Sequence, residues 1–299
     1  MASKPELHQR VAPQIPPKDQ RIRLLIDTDA KAEIDDQYAL ALAIYSPERF
    51  AIEGFVGVNF EGPGGGKGSC QRSVEEIELI LAKAGMSGKW PVKQGSDPMQ
   101  YQFVPSESEG VDFIIERAMS GTPEEPLWIV GLGACTDIAS AYLKEPRIAD
   151  RVVIFWHGRT RWPEKCYNFN VFGDVRAARI LFHSPMPLVL FDTGTHLTAE
   201  LTETEKHLKP YGQLGRYLHE YRMTNPGFMS PDKGFFDLGD IAALLDPDIA
   251  CWEVTECPEV DWDLDYEFKG TMGSILRCFH VDRDKAFSLL YNKLKQYNS

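Results

Sequence analysis

Five carboxylates crowd ten residues near the N-terminus, Asp27, Asp29, Glu33, Asp35 and Asp36 within the run 27–36. Like charges at this spacing repel one another unless a cation gathers them, so the run reads as a hard-metal site with oxygen ligands, of the kind calcium takes. For an isolated pair of aspartates the plainer reading is helix capping and solvated charge, and Asp35 and Asp36 would suit the first turn of a helix. Three familiar motifs fail on named residues. Lys31 stands where an EF-hand loop needs a further oxygen ligand, and where the Asp-x-Asp-x-Thr/Val phosphatase pattern needs Thr or Val. The run 62–69 (GPGGGKGS) would need glycine at Glu61 and Ser or Thr at Gly68 to be a phosphate loop, so it reads as an active-site flap or plain loop.

The elements that position these residues alternate apolar runs with helical patterns, the signature of βαβ units and a parallel sheet. Strands are predicted near 23–27, 51–58, 91–94, 127–132, 152–156 and 188–192, and helices near 35–46, 70–84, 111–120, 136–144 and 174–183. Beyond 200 the pattern turns mostly helical (202–223, 238–246, 283–297), with a β-rich segment near 252–269. The expected fold is α/β, with a mostly parallel Rossmann-like central sheet flanked by helices. A polar, proline-bearing arm occupies 1–20 and a single domain 21–299. Ligands bind at the carboxyl ends of such strands, which selects Asp27, Asp29, Asn59, Thr136, Asp137 and His157 for attention.

Composition narrows the partners. The 299 residues are 43% hydrophobic and 25% charged, an ordinary globular balance. Lysine and arginine total 32 against 44 acidic residues, a net charge of −12, which disfavours bare nucleic acid and anionic membranes. No run reaches the roughly 20 apolar residues of a membrane span, and 1–20 has no signal-peptide core, so a cytoplasmic protein is expected. The six cysteines include no CxxC or CxxH pair and are read as buried or free thiols.

Five motifs in order then resemble the inosine-uridine-preferring nucleoside hydrolase family. They are Asp27-Thr28-Asp29 with Asp35-Asp36, a two-residue-longer form of Asp-x-Asp-x-Gly-x-Asp-Asp; Val56-Gly57-Val58-Asn59; Leu132-Gly133-Ala134-Cys135-Thr136-Asp137; Asn168-Phe169-Asn170 with Asp174; and Asp240-Ile241-Ala242 with Asp246-Pro247. The resemblance covers roughly 22–295 and implies a nucleoside hydrolase fold and a calcium-dependent ribohydrolase. It implies Ca2+ held by Asp29, Asp36 and Asp240 and by the backbone carbonyl of Thr136, with Asp29 the general base on the attacking water. It also implies that Asp35, Asn59, Asn168, Asn170 and Asp240 contact the ribose, and that the chain assembles as a homodimer or homotetramer. An anionic pocket suits the reaction, because N-glycoside cleavage builds positive charge on the ribose.

Three departures bear on the chemistry. The family often has Glu-Phe-Asn where this chain has Asn168-Phe169-Asn170. Many purine-processing members carry His-Asp where this chain reads Gly239-Asp240, and glycine donates no side-chain proton. His157, Arg159, Arg161 and Tyr167 follow the fifth strand within reach of a base, and His157 alone reads equally as a strand-end histidine satisfied by backbone. Glu33, in the two-residue insertion, is expected to face solvent, the alternative being an added metal ligand. The resulting expectation is hydrolysis of a nucleoside or related N-riboside. The competing readings are a pentose-binding or nucleoside-binding protein without turnover and, more weakly, a metal-dependent phosphoesterase.

Overall fold

The first strand, β1 (Ile22–Thr28, IRLLIDT), is buried along nearly its whole length, as a strand covered by helices on both sheet faces must be. In the computed structural model, which describes residues 10–61 and 68–298, it pairs in parallel with β2 (Phe50–Gly57) on one side. β3 (Val92–Gln94) lies beyond β2. On the other side follow β4 (Leu127–Gly131), β5 (Val152–His157) and β6 (Leu188–Phe191), all parallel. Past a short antiparallel pair apart from the main sheet, β8 (Glu259–Val260) with β9 (Tyr266–Glu267), the chain lays β10 (Ser274–Val281) parallel to β6. The preceding β7 (Ala250–Glu256) closes that edge, antiparallel to β10, in the order β3-β2-β1-β4-β5-β6-β10-β7.

The order reverses between β1 and β4, where the chain stops building outward through β2 and β3 and starts again through β4. In open α/β sheets a ligand crevice forms outside the carboxyl ends of the strands at such a switch point. Asp27 stands in register with Val56 of β2 and Gly131 of β4, so the acidic run emerges at that crevice.

The helices that cover the sheet are α1 (Asp35–Ile44), α2 (Ser69–Lys83), α3 (Glu109–Met119), α4 (Thr136–Lys144), α5 (Phe169–Gly173) and α6 (Val175–His183), followed by α7 (Leu201–His207), α8 (Gly212–Tyr221), α9 (Pro226–Met229), α10 (Phe236–Leu245) and α11 (Arg283–Tyr297). α1 is buried along its whole length and α10 nearly so, and the two pack on each other. Both begin at the crevice, with Asp35 and Asp36 in the first turn of α1 and Asp237 in the first turn of α10.

Three expected elements differ. The helix expected over 202–223 is two helices, broken at Leu208–Tyr211 around Pro210, whose ring and missing N–H end α7. The helix expected over 174–183 is preceded by α5, and Asp174 separates the two by accepting from the Ala177 N–H (3.0 Å) as the cap of α6. The β-rich segment runs from Ala250 to Val281 and includes β10, which lies beyond the expected limit of 269. The glycine-rich run lies outside the described residues over 62–67. From Arg10 onward the arm packs on the fold: the Arg10 carbonyl accepts from Ser274 N–H (2.9 Å), and its buried guanidinium donates to the Ser184 carbonyl (2.7 Å). All six cysteines are free, five of them buried.

Candidate active site

At the carboxyl ends of the strands lies a pocket of about 150 Å³, lined by Asp29, Ala32, Glu33, Asp35, Asp36, Leu132, His157, Arg159, Asn168, Phe169, Asn170, Phe236 and Asp237. Its floor is anionic. Asp29, Asp35, Asp36 and Asp237 are each at most 5% exposed, and one ligand oxygen from each of Asp35, Asp36 and Asp237 lies within 4.8 Å of the others. Burial pushes the Asp29 and Asp237 carboxyls well above the usual range, and neighbouring carboxylates push them further. Burial and Asp35 together raise Asp36 to about 7, against the bond donated by the Thr28 hydroxyl.

Two devices make this crowding possible. The N-termini of α1 and α10 place partial positive charge against the acidic side chains of their first turns. Gly133 lets the turn after β4 approach closely, since a Cβ there would sit 2.9 Å from the Asp29 carboxyl carbon.

The remaining deficit of positive charge is large. Lys233, in the segment before α10, lies 3.7 Å from Asp35 and also pairs with Glu33 at the pocket's lip. No other lysine or arginine among the described residues pairs with these aspartates. Deeper in, both carboxylate oxygens of fully buried Asp27 have no hydrogen-bond partner, nor has Oδ1 of Asp240. An all-oxygen cluster of this charge, beside orphaned carboxylate oxygens, fits a hard divalent cation.

Most of the expected site residues meet in this pocket, and three do not. Asn170 directs its amide N–H groups at the carbonyls of Leu132 (2.6 Å) and His157 (3.0 Å), which leaves its carbonyl oxygen for the cavity. Asn168 lines the wall while capping α5, accepting from Val171 N–H (2.7 Å). Asn59 and Thr136 sit together behind the wall, the Asn59 amide donating to the Thr136 hydroxyl (3.3 Å), which in turn donates to Asp174 (2.9 Å). Asp137 is a structural knot, accepting from the Ser96 N–H (3.0 Å) and the Ser96 and Ser108 hydroxyls (3.0 and 2.8 Å).

Asp240 is the third residue outside the pocket. It is fully buried one turn into α10, where its Oδ2 lies 2.7 Å from His157 Nδ1. His157 itself lines the pocket and comes within 3.4 Å of Asp237. Burial opposes charge on its imidazole, yet the nearby Asp240 carboxylate outweighs that effect and raises its pKa. The residue of α10 that joins the floor is therefore Asp237, and the residue before it is Phe236, not Gly239. Gly239 faces the core, where a Cβ would meet Leu197 and Phe191 at 2.6 and 2.7 Å. Asp237 and Lys233 were not singled out in the sequence. The helix expected over 238–246 begins two residues earlier, at Phe236, which brings Asp237 into its first turn.

The architecture and the acidic switch-point pocket agree with what comparison finds. A family model described as inosine-uridine preferring nucleoside hydrolase matches residues 24–288. The chain belongs to that family. Nucleoside hydrolases of this kind act on N-glycosyl compounds. The inosine-uridine preferring nucleoside hydrolase of Leishmania major is 27% identical over 223 residues, 64% of this chain, and the match spans about two thirds (66%) of that relative's length. Among solved structures, a purine-preferring ribonucleoside hydrolase from Gardnerella vaginalis superposes with a TM-score of 0.71 at 19% identity, covering 92% of this chain and 99% of its own. A plant nucleoside hydrolase gives 0.70 at 19% identity, with the same coverage. These two likenesses bear on the fold alone. The expected family and α/β architecture are thus those observed, and no helix of the described residues is long and apolar enough to cross a membrane.

Proposed function

We propose that this chain hydrolyses the N-glycosidic bond of a ribonucleoside or related N-riboside, releasing base and ribose, with calcium as its cation. The observation that carries the reading is the convergence of Asp29, Asp35, Asp36 and Asp237 with Asn170 in one pocket of a nucleoside hydrolase chain. Asp29, Asp36 and Asp237 would hold the ion, with Asp237 in the role the sequence motif suggested for Asp240. When bound, the cation supplies Lewis-acid polarisation of water and a docking point for ribose hydroxyls.

The protein's own residues do the rest. Asp29 takes the proton of the attacking water, and Asp35 and the Asn170 carbonyl oxygen accept hydrogen bonds from ribose hydroxyls. The buried carboxylates stabilise positive charge developing on the ribose in a site of low dielectric. Lys233 ties the exposed Glu33 of the inserted pair Ala32-Glu33 to the floor at Asp35 through two ion pairs. The reading keeps the expected small-molecule riboside as partner.

A second reading, binding of the riboside without turnover, is favoured by one observation: Phe236, directly before the floor aspartate, offers no proton to a departing base. Ribose release from inosine by Asp29→Ala and Asp237→Ala separates the two. Hydrolysis requires each variant to lose roughly 10²–10⁴-fold in kcat/KM. Full turnover in both would overturn the site assignment, and calcium-dependent binding of inosine with no turnover by the unaltered chain would establish the second reading.

A further inference from the structure

N-glycoside cleavage creates two opposite charges, positive on the ribose and negative on the departing base. The aspartates serve the first. Among the described residues, Arg159 is the one arginine or lysine that lines the pocket. It shares the cavity with Asp29, Glu33, Asp35, Asp36 and Asp237 and pairs with none of them. Its guanidinium instead lies 5.3 Å from the centroid of Phe236. A cation that avoids five nearby carboxylates is held against another wall, and the turn that carries it is anchored on both sides. The Gly158 N–H donates to the Phe191 carbonyl (3.1 Å), and the Thr160 N–H donates to Asp192 (2.6 Å) at the end of β6. The Thr160 hydroxyl also accepts from Tyr266 (3.0 Å). The backbone on either side of Arg159 is therefore anchored and its guanidinium rests beside the Phe236 ring, which keeps the charge at the pocket wall, and a charge placed before the reaction lowers a barrier most.

We propose that Arg159 is a catalytic residue that receives the departing base as an anion, so that leaving-group stabilisation in this chain is electrostatic rather than by proton transfer. The inference rests on the N-riboside reading above. Arginine remains protonated and has no proton to give at neutral pH, but its fork of N–H donors suits an anionic heterocycle or its carbonyl oxygens. In the step itself the water oxygen bonds to C1′ and its proton passes to Asp29. The C1′–N bond breaks, and its electron pair stays on the base nitrogen beside the guanidinium. The base then takes a proton from solvent, and Asp29 returns its own to solvent.

The test compares kcat/KM for inosine with kcat/KM for p-nitrophenyl riboside, whose nitrophenolate leaves without assistance, in the full chain with calcium. Arg159→Gln should lower the inosine-to-nitrophenyl ratio by roughly 10²–10³-fold, the scale for losing one preorganised donor to a developing anion. Arg159→Lys, which keeps the charge, should recover most of that ratio. A ratio unchanged within about threefold in Arg159→Gln, whether both activities fall or neither does, overturns the proposal. So does an unaltered chain that cleaves the nitrophenyl substrate alone, although the riboside reading then stands. An unaltered chain that cleaves neither substrate removes the riboside reading and the proposal together.

Discussion

Four aspartates at most 5% exposed, only one of which is paired with a lysine, cannot all be ionised without further compensation. Either protons or a divalent cation must balance them, and the family chemistry uses a cation. Within that cluster Asp237 and Asp240 have different tasks: Asp237 faces the cavity, whereas Asp240 holds His157 from behind. Asp240→Asn should accordingly retain calcium binding and lower kcat/KM by roughly 10–100-fold, the usual effect of disturbing a supporting hydrogen bond, whereas Asp237→Ala should lose both. Calcium titration of the two purified variants, read beside turnover, checks the division; equal calcium loss in both would contradict it. Asp29, Asp35 and Asp36 were legible in the sequence because charge density along one short run is visible without a structure. Asp237 was not, because Asp237 and Asp240 stand three residues apart and only the start of α10 decides which of them meets the cavity. Lys233 was hidden for a related reason, since its partners Glu33 and Asp35 lie some 200 positions away.

At the scale of elements, α1 and α10 act as a pair of buried struts whose N-termini converge on the crevice. Their interiors admit little change. Gly239 of α10 is one such tight point, and Gly239→Ala should destabilise the protein by about 1–3 kcal/mol through overpacking against Leu197 and Phe191, with little change in kcat for the molecules that remain folded. Thermal unfolding beside active-site titration checks this, and a stable variant that had lost turnover would show that Gly239 reaches the site after all. The parallel core was legible because β4, β5 and β6 are nearly continuous apolar runs bounded by turn residues and β1 and β2 are mostly apolar. β10 was not, since SILRCFHV interrupts its apolar residues with Arg277 and His280, and the burial of Ile275 and Cys278 depends on strands distant in sequence. The break between α7 and α8 had a visible signal, Pro210, that the apolar periodicity of 202–223 obscured.

For the whole molecule, the buried carboxyls link stability to pH and to the cation. Burial and like charge set Asp36 at about 7 and hold Asp27, Asp29 and Asp237 well above the usual range. Each folded-state value exceeds its unfolded one, so the folded chain binds more protons across the interval from about pH 4 to about pH 7. Its stability without a divalent cation therefore falls as pH rises through that window. His157, also raised, contributes in the same direction. A cation that replaces those protons should raise the melting temperature more at about pH 8 than at about pH 5. Melting curves with calcium and with chelator at both pH values test the sign, and a larger gain at the lower pH would contradict it.

The most direct test of the central claim, that this acidic pocket hydrolyses N-ribosides through a bound divalent cation, is ribose release from inosine, uridine and p-nitrophenyl riboside with calcium, after chelation, and after calcium is restored. The expected result is turnover of at least one riboside that chelation abolishes and calcium returns. Turnover indifferent to chelation, or no ribose from any of the three, would contradict the account.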